Sequence, residues 1–399
     1  MKIAIIQSAN NGFFPRFYKS LYNAIQQSGS KAFLVQPKNG ANKRTPLPGQ
    51  VLFGTRLNWF IHYNLYKLTG IQDIWSFFET LSMISKLNKI KPDIIHLHVV
   101  NECSINYPLL TFYTRYKKIP VVWTMHDCRA FTGRCAYFDE INCNKWINGC
   151  GNCPQKELYS PTWIDNSALQ WKIRKNLFNK FFSLHIVTPS KWLADYVKKS
   201  FLKNNPCDVI YNGIDTEFFS QPQPDTWLDT YNIRGKKIIL GVAGAWEHRK
   251  GFDYFIQLSK ELPQDYKIVL VGNPPHKTDS IINIPKTSDP NVLASLYQHS
   301  TIFCNPTLAD NFPTTNIEAL AAGTPVITFN TGGSPEAIDE TCGIIVEKGN
   351  YKALESAIIY MANNIHLYTK ENCINRSFLF SNQQYNNYVK LYNRILCNK

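Results

Sequence analysis

Short apolar runs alternate along the chain with stretches of helical periodicity. Ile3–Ile6 is an apolar run followed by a polar turn, Gln7 to Gly12, after which Tyr18, Leu21, Tyr22 and Ile25 recur at helical spacing up to Gly29. This is strand, loop, helix. Ala32–Val35, Asp93–Val100 (after the break at Pro92) and Val121–Met125 read as further strands. The same grammar restarts beyond the proline-bearing, turn-rich stretch Ser220–Asp225, which reads as a linker. Strands are then expected at Lys237–Ala243, Lys267–Gly272, Thr301–Cys304, Pro325–Phe329 and Gly343–Val346. Helices are expected over Asn291–His299 and around Leu354, Ile358 and Met361. Alternation of this kind predicts an α/β protein with parallel sheets covered on both faces and functional loops at the carboxyl ends of the strands. Two domains follow, residues 1–220 and 221–379. Residues 380–399 are expected to form a closing helix that packs back on the first domain.

Composition narrows the class. A chain of 399 residues, 44% hydrophobic and 14% aromatic, can bury two domain-sized cores. No apolar window approaches membrane-spanning length. Met1-Lys2 is followed by only four apolar residues, too few for a secretory leader, so a cytoplasmic protein is expected. The 43 basic against 29 acidic residues leave +14, which favours anionic partners such as nucleotides or anionic lipid. Nucleic acid is not expected, since no helix-turn-helix, zinc-finger or aromatic RNA-binding signature accompanies the charge.

The most informative segment runs from Asn305 to Val326. A strand ends in a loop, Pro313 and Thr314 open a helix, Gly323 closes it, and Pro325 begins the next strand. Free amides at that helix start suit a phosphate, and the flanking acids Asp310 and Glu318 could accept bonds from sugar hydroxyls. The plainer alternative makes Asp310 a solvated loop residue and Glu318 a surface helix residue. Arg249 and Lys250 follow a strand and precede Gly251; two cations there suit a diphosphate or are merely solvated at a helix start. His126 closes the strand Val121–Met125, where open α/β sheets place ligand-binding groups. His96 and His98 alternate on one strand and read as structural.

These residues together resemble the retaining glycosyltransferases of family 4. Asp310 and Glu318 have the spacing of that family's two glutamates, with Asp in place of the first. Val187-Thr188-Pro189-Ser190-Lys191, Ile210 to Asp215, Arg249-Lys250-Gly251-Phe252 and Gly332 to Glu336 resemble family blocks in the expected order. The exopolysaccharide and colanic-acid branch, which carries a cysteine-rich loop, is the most similar. The resemblance implies a GT-B fold: two Rossmann-like, doubly wound domains facing across a cleft, the second holding a nucleotide diphosphate sugar, UDP- or GDP-linked. It implies catalytic roles for His126, Asp310 and Glu318, with His126 contacting the donor sugar. Donor binding is implied for Asn11, Gly12, Gly244, Arg249, Lys250, Asn311, Phe312, Pro313, Thr314, Thr315 and Glu318. Many relatives carry an arginine where this chain has Ala245, so either Arg249 substitutes or one cation is missing. No Asp-x-Asp triplet is present, and a metal-independent, retaining hexosyl transfer to a saccharide or lipid-linked saccharide acceptor is the implied reaction. A catalytically silent nucleotide-sugar sensor or scaffold is the alternative.

Two features stand outside those blocks. Five of the eleven cysteines fall between Cys128 and Cys153. Of these, Cys135, Cys143, Cys150 and Cys153 could hold a structural zinc that braces the loop after His126, form disulfides, or stay free. Residues 38–78 mix Lys38, Lys43, Arg44 and Arg56 with Trp59, Phe60, Tyr63, Tyr66, Trp75, Phe77 and Phe78. They suit either peripheral contact with an anionic membrane at the inner face of the plasma membrane or a core-packed helix pair.

Overall fold

The computed structural model describes residues 1–8, 10, 12–38, 42, 46–100, 103–159, 161–287 and 289–397. The chain forms two compact units, Met1–Tyr211 with Tyr385–Lys399, and Asn212–Gln384. In the first unit the strands are β1 (Lys2–Ile6), β2 (Lys31–Pro37), β3 (Gln50–Phe53), β4 (Ile94–Leu97), β5 (Val121–Thr124), β6 (Leu184–Thr188) and β7 (Cys207–Val209). They lie side by side in the order β3-β2-β1-β4-β5-β6-β7, all parallel. The second unit contains β8 (Lys237–Ala245), β9 (Tyr266–Asn273), β10 (Ile281–Ile284), β11 (Ile302–Asn305), β12 (Val326–Phe329) and β13 (Gly343–Val346). Their order is β10-β9-β8-β11-β12-β13, again all parallel. Each sheet therefore reverses direction beside its first strand, the doubly wound order of a Rossmann-like unit.

The apolar runs are continuous because both sheet faces are covered. Along β1, Ile3 and Ile5 enter one core with Leu34, Ile94 and Val122, while Ala4 and Ile6 enter another with Val35, Ile95 and Leu97. The first of these cores is completed by the helix Gln384–Cys397, whose Tyr385, Tyr388, Leu391 and Tyr392 are buried at helical spacing. Tyr392 Oη lies 2.7 Å from His96 Nδ1, and Thr124 Oγ1 donates to Tyr388 Oη at 3.3 Å. The closing helix thus returns to the first unit.

Four strands are not evident in the apolar pattern. β3, β7 and β10 are short edge strands, and the apolar run of β6 is interrupted by His185. The stretch Ser220–Asp225 lies within the second unit, not between units. Gln298 Nε2 donates to the carbonyls of Phe219 and Gln221 at 2.7 Å, and Ser295 Oγ donates to Pro224 O, so its turns are tied to the helix Pro290–Gln298. The helix Arg56–Thr69 is not core-packed along its length: only His62 and Tyr66 are buried, whereas Leu57, Trp59, Phe60, Ile61 and Leu68 are exposed.

Candidate functional site

In the second unit, β8 ends at Ala245 and a tight turn, His248–Lys250, carries two of the expected cations. Gly251 follows with φ +78°, and a Cβ there would meet the Pro306 carbonyl at 2.2 Å. This close approach presses the turn against the segment after β11. Leu308 N donates to Arg249 O at 2.8 Å, and Arg249 Nη1 donates back to Ala309 O at 2.8 Å. Lys250 Nζ then reaches Asp310 Oδ2 at 2.6 Å, with Arg249 Nη1 3.9 Å from the same oxygen. Glu247 lies 3.7 Å from Arg249 Nη2. Ala245 and Gly244 are exposed beside this turn, and the atom nearest a Cβ at Gly244 would be Lys286 Nζ at 3.7 Å.

Asp310 is clamped from behind. Gly332 has φ +57°, and a Cβ on it would sit 1.6 Å from the Asp310 carbonyl oxygen; Gly333 N donates to Asn311 O at 2.8 Å. Phe312 is buried against Phe380, with ring centroids 5.5 Å apart. Pro313 then opens the helix Thr314–Ala321, and no side chain caps it. The first-turn amides of Thr314 and Thr315 thus have no side-chain acceptor, and they lie at the positive end of the helix dipole. Glu318 is 5% exposed and accepts from Tyr297 Oη at 3.2 Å, so it is no surface acid. Arg249, Lys250, Asp310, Asn311 to Thr315 and Glu318 are brought together on one end of this sheet, the carboxyl end.

His126, Gly12 and Asn11 belong to the first unit. Asn11 lies outside the described residues. Gly12 has φ +56° with open space where a Cβ would point, and Phe13 beside it packs edge-on to His126, with centroids 5.9 Å apart. The loop between them and β1 is held by amides: Gln36 Nε2 donates to Asn10 Oδ1 at 2.6 Å, and Asn10 N donates to Asn42 Oδ1 at 2.7 Å. His126 is half-buried just beyond β5, and burial pushes its pKa down to about 4, with Asp127 opposing the shift. It is therefore a neutral imidazole at pH 7. Its Nε2 lies 3.0 Å from His98 Nδ1. His96, read as structural, is satisfied at both nitrogens by Tyr392 and by Thr124 at 2.8 Å. His98 is different, because it touches a candidate site residue directly.

The Glycosyltransferase Family 4 model matches residues 16–218, and the Glycosyl transferases group 1 model matches residues 224–377. The chain belongs to glycosyltransferase family 4. WcaC of Escherichia coli (strain K12), a glycosyl transferase named for colanic acid biosynthesis, is 26% identical over 82% of this chain and 82% of its own length. CapM of Staphylococcus aureus, a capsular polysaccharide biosynthesis glycosyltransferase, is 28% identical over 46% of this chain and 53% of its own. A solved glycosyltransferase from Rickettsia africae superposes with a TM-score of 0.70 at 17% identity, covering 100% of this chain and 99% of that one. Anabaena Alr3699/HepE, solved in complex with UDP, gives 0.68 at 14% identity, covering 98% of each chain. The fold of this family 4 glycosyltransferase is GT-B.

The loop after His126 is braced by residues that neither motif nor spacing reveals. Arg174 and Asp73 form a buried ion pair, Nε to Oδ2 at 2.8 Å, and Arg174 Nη1 donates to Arg129 O at 2.6 Å and Thr132 O at 3.0 Å. Their partners are distant in sequence, so only folding could show them. In the cysteine-rich segment of this glycosyltransferase, Gly133 N donates to Cys150 Sγ at 3.1 Å. Burial and the neighbouring thiols push Cys135 up to about 12, and burial pushes Cys150 up to about 11. Cys135, Cys143, Cys150 and Cys153 share a neighbourhood. Among the described residues no group of three or more His, Cys, Asp or Glu side chains is placed to hold a metal ion.

Proposed function

We propose that this glycosyltransferase moves a hexose from a UDP- or GDP-linked sugar to a saccharide acceptor with retention at the anomeric carbon, in the assembly of a surface polysaccharide. The observation that carries the donor site is the convergence of Lys250, Arg249 and an uncapped helix start on one loop, with the buried Glu318 one turn further along. In this reading Lys250 and Arg249 take the diphosphate and stabilise the charge that grows on it as the glycosidic bond breaks. The amides of Thr314 and Thr315 add donors at the phosphate, and Glu318 accepts from a hydroxyl of the donor. His126, neutral at working pH, hydrogen-bonds the donor sugar and does not abstract a proton as a general base. The acceptor proton passes to the leaving diphosphate, so no protein nucleophile is named and no step calls on a metal.

The names of WcaC and CapM support a polysaccharide product, and the HepE complexes with UDP and UDP-glucose support a nucleotide donor. No helix among the described residues is long and apolar enough to cross a membrane. The exposed apolar side chains of the helix Arg56–Thr69, with Phe77 and Phe78 at the start of the next helix, support a lipid-linked acceptor met at the cytoplasmic face of an anionic membrane. A thermal-shift screen against UDP, GDP, ADP, CDP and their common sugar conjugates tests the donor site. One nucleotide series should stabilise the protein by about 2.7 kcal/mol at a hundredfold excess over its Kd. Lys250→Ala should weaken that response, and silence toward every nucleotide would overturn the reading. Because Asp310 is engaged by Lys250, binding without transfer is the second reading; nucleotide release on adding acceptor separates the two.

A further inference from the structure

The strand pair β4 and β5 delivers two histidines to one spot. His98 follows β4 and is 2% exposed; its Nδ1 meets His126 Nε2 at 3.0 Å, and the two rings lie nearly parallel, 21° apart with centroids at 5.4 Å. Phe17 packs edge-on to both rings, and Phe14 edge-on to His98, so neither imidazole is free to turn. The other nitrogen of His98, Nε2, is buried and has no hydrogen-bond partner among the described residues. His126 Nδ1 makes no hydrogen bond among them either, and it is not enclosed in the same way.

One hydrogen bond between two neutral imidazoles couples their tautomers. If His98 Nδ1 carries the proton, His126 Nε2 accepts and His126 must carry its own proton on Nδ1. If His126 Nε2 donates instead, His98 must carry its proton on the buried Nε2, leaving an orphaned N–H. Orphaned buried N–H groups are the rarer defect in folded proteins. We propose that His98 is a positioning residue that holds His126 in its Nδ1–H tautomer, so that the site presents a hydrogen-bond donor to an oxygen of the donor sugar. The role of His126 toward the sugar rests on the function proposed above; the tautomer does not.

An isolated imidazole in water favours Nε2–H, so an Nδ1–H His126 is a signature of the pairing. Nitrogen-15 NMR of histidine-labelled protein without ligand, assigned by difference with His126→Gln, reads which nitrogen is protonated. The expected result is Nδ1–H at His126 in the parent protein. His98→Gln, whose amide can still donate, should keep it, and His98→Leu should release it to Nε2–H. Transfer in His98→Leu should fall by about tenfold to a hundredfold in kcat, with His98→Gln recovering part of the loss. Nε2–H at His126 in the parent protein overturns the proposal without variants. An unchanged tautomer in a folded His98→Leu overturns it too. A correct tautomer alongside full activity in His126→Gln would leave the pairing standing and remove the sugar contact instead.

Discussion

At the scale of single residues, Asp310 spends its carboxylate on Lys250. A glutamate at that position would reach one methylene further, and the shorter acid sits only 14% exposed beside its cation. If Lys250 is to serve a diphosphate, the two anions compete for it. Asp310→Asn should therefore tighten binding of a nucleoside diphosphate alone by about threefold to fivefold while lowering transfer, since a partly exposed pair is worth up to about 1 kcal/mol. Calorimetry with the diphosphate and with its sugar conjugate decides the point. Unchanged diphosphate affinity with lost conjugate affinity would assign Asp310 to the sugar. A second residue-scale consequence concerns pH. Burial holds His126 at about 4 and His96 at about 3, the latter helped by His126. Unfolded histidines take up protons near pH 6.5. Below that value the unfolded chain binds more protons than the native one, so the stability is fully present above pH 6.5 and drains away down to about pH 4 and pH 3. Each histidine withdraws on the order of 1.4 kcal/mol per pH unit within its window. Urea unfolding at pH 7, 6 and 5 should show this decline, and His126→Asn should make it shallower; a flat profile would contradict the burial of both rings.

At the scale of elements, the donor-side loop is shaped by glycines on strand-end turns. Gly251 admits the Pro306 carbonyl and Gly332 admits that of Asp310, each at a positive φ where a side chain would also be strained. Gly332→Ala is expected to cost at least about 1–3 kcal/mol and to displace Asp310 and Asn311. Gly244→Ala has room, and its stability should stay within about 0.5 kcal/mol of the parent. Melting curves check both. A loss of nucleotide binding in Gly244→Ala at unchanged stability would then report on the site itself. The order and type of most elements were legible because strands such as β1, β5, β8 and β12 are largely apolar runs and the covering helices keep their period. Ser190 caps the helix Lys191–Lys199: its side chain accepts from Leu193 N, with Leu193 and Val197 buried below. The edge strands β3 and β7 were not legible, since three or four residues with one paired side carry too little pattern.

At the scale of the whole molecule, the first unit presents a surface that its own core leaves uncovered. Phe78 is 73% exposed, Leu57 67% and Trp163 72%, with Trp163 joined to the helix Arg56–Thr69 through its N–H to Lys67 O at 2.9 Å. Exposed apolar side chains on a chain of charge +14 suit an anionic bilayer. Co-sedimentation with liposomes containing phosphatidylglycerol should exceed that with phosphatidylcholine alone and weaken with salt. Phe60→Ser with Phe78→Ser should reduce it by about tenfold, with transfer to a soluble acceptor unchanged; equal binding to neutral and anionic vesicles would remove the electrostatic part. The chain's pattern by itself determined the class of fold, the alternation of strand and helix in two halves and the amphipathic period of the carboxyl-terminal helix, because periodicity and short motifs are local properties. Only the tertiary structure decided that Ser220–Asp225 is tied into the second unit, that Lys250 is engaged by Asp310, that Arg174 and Asp73 brace the loop after His126, and that His98 meets His126. Those are contacts between residues tens to a hundred positions apart, and nothing in a linear pattern specifies which buried polar group will find which partner once the sheets have formed.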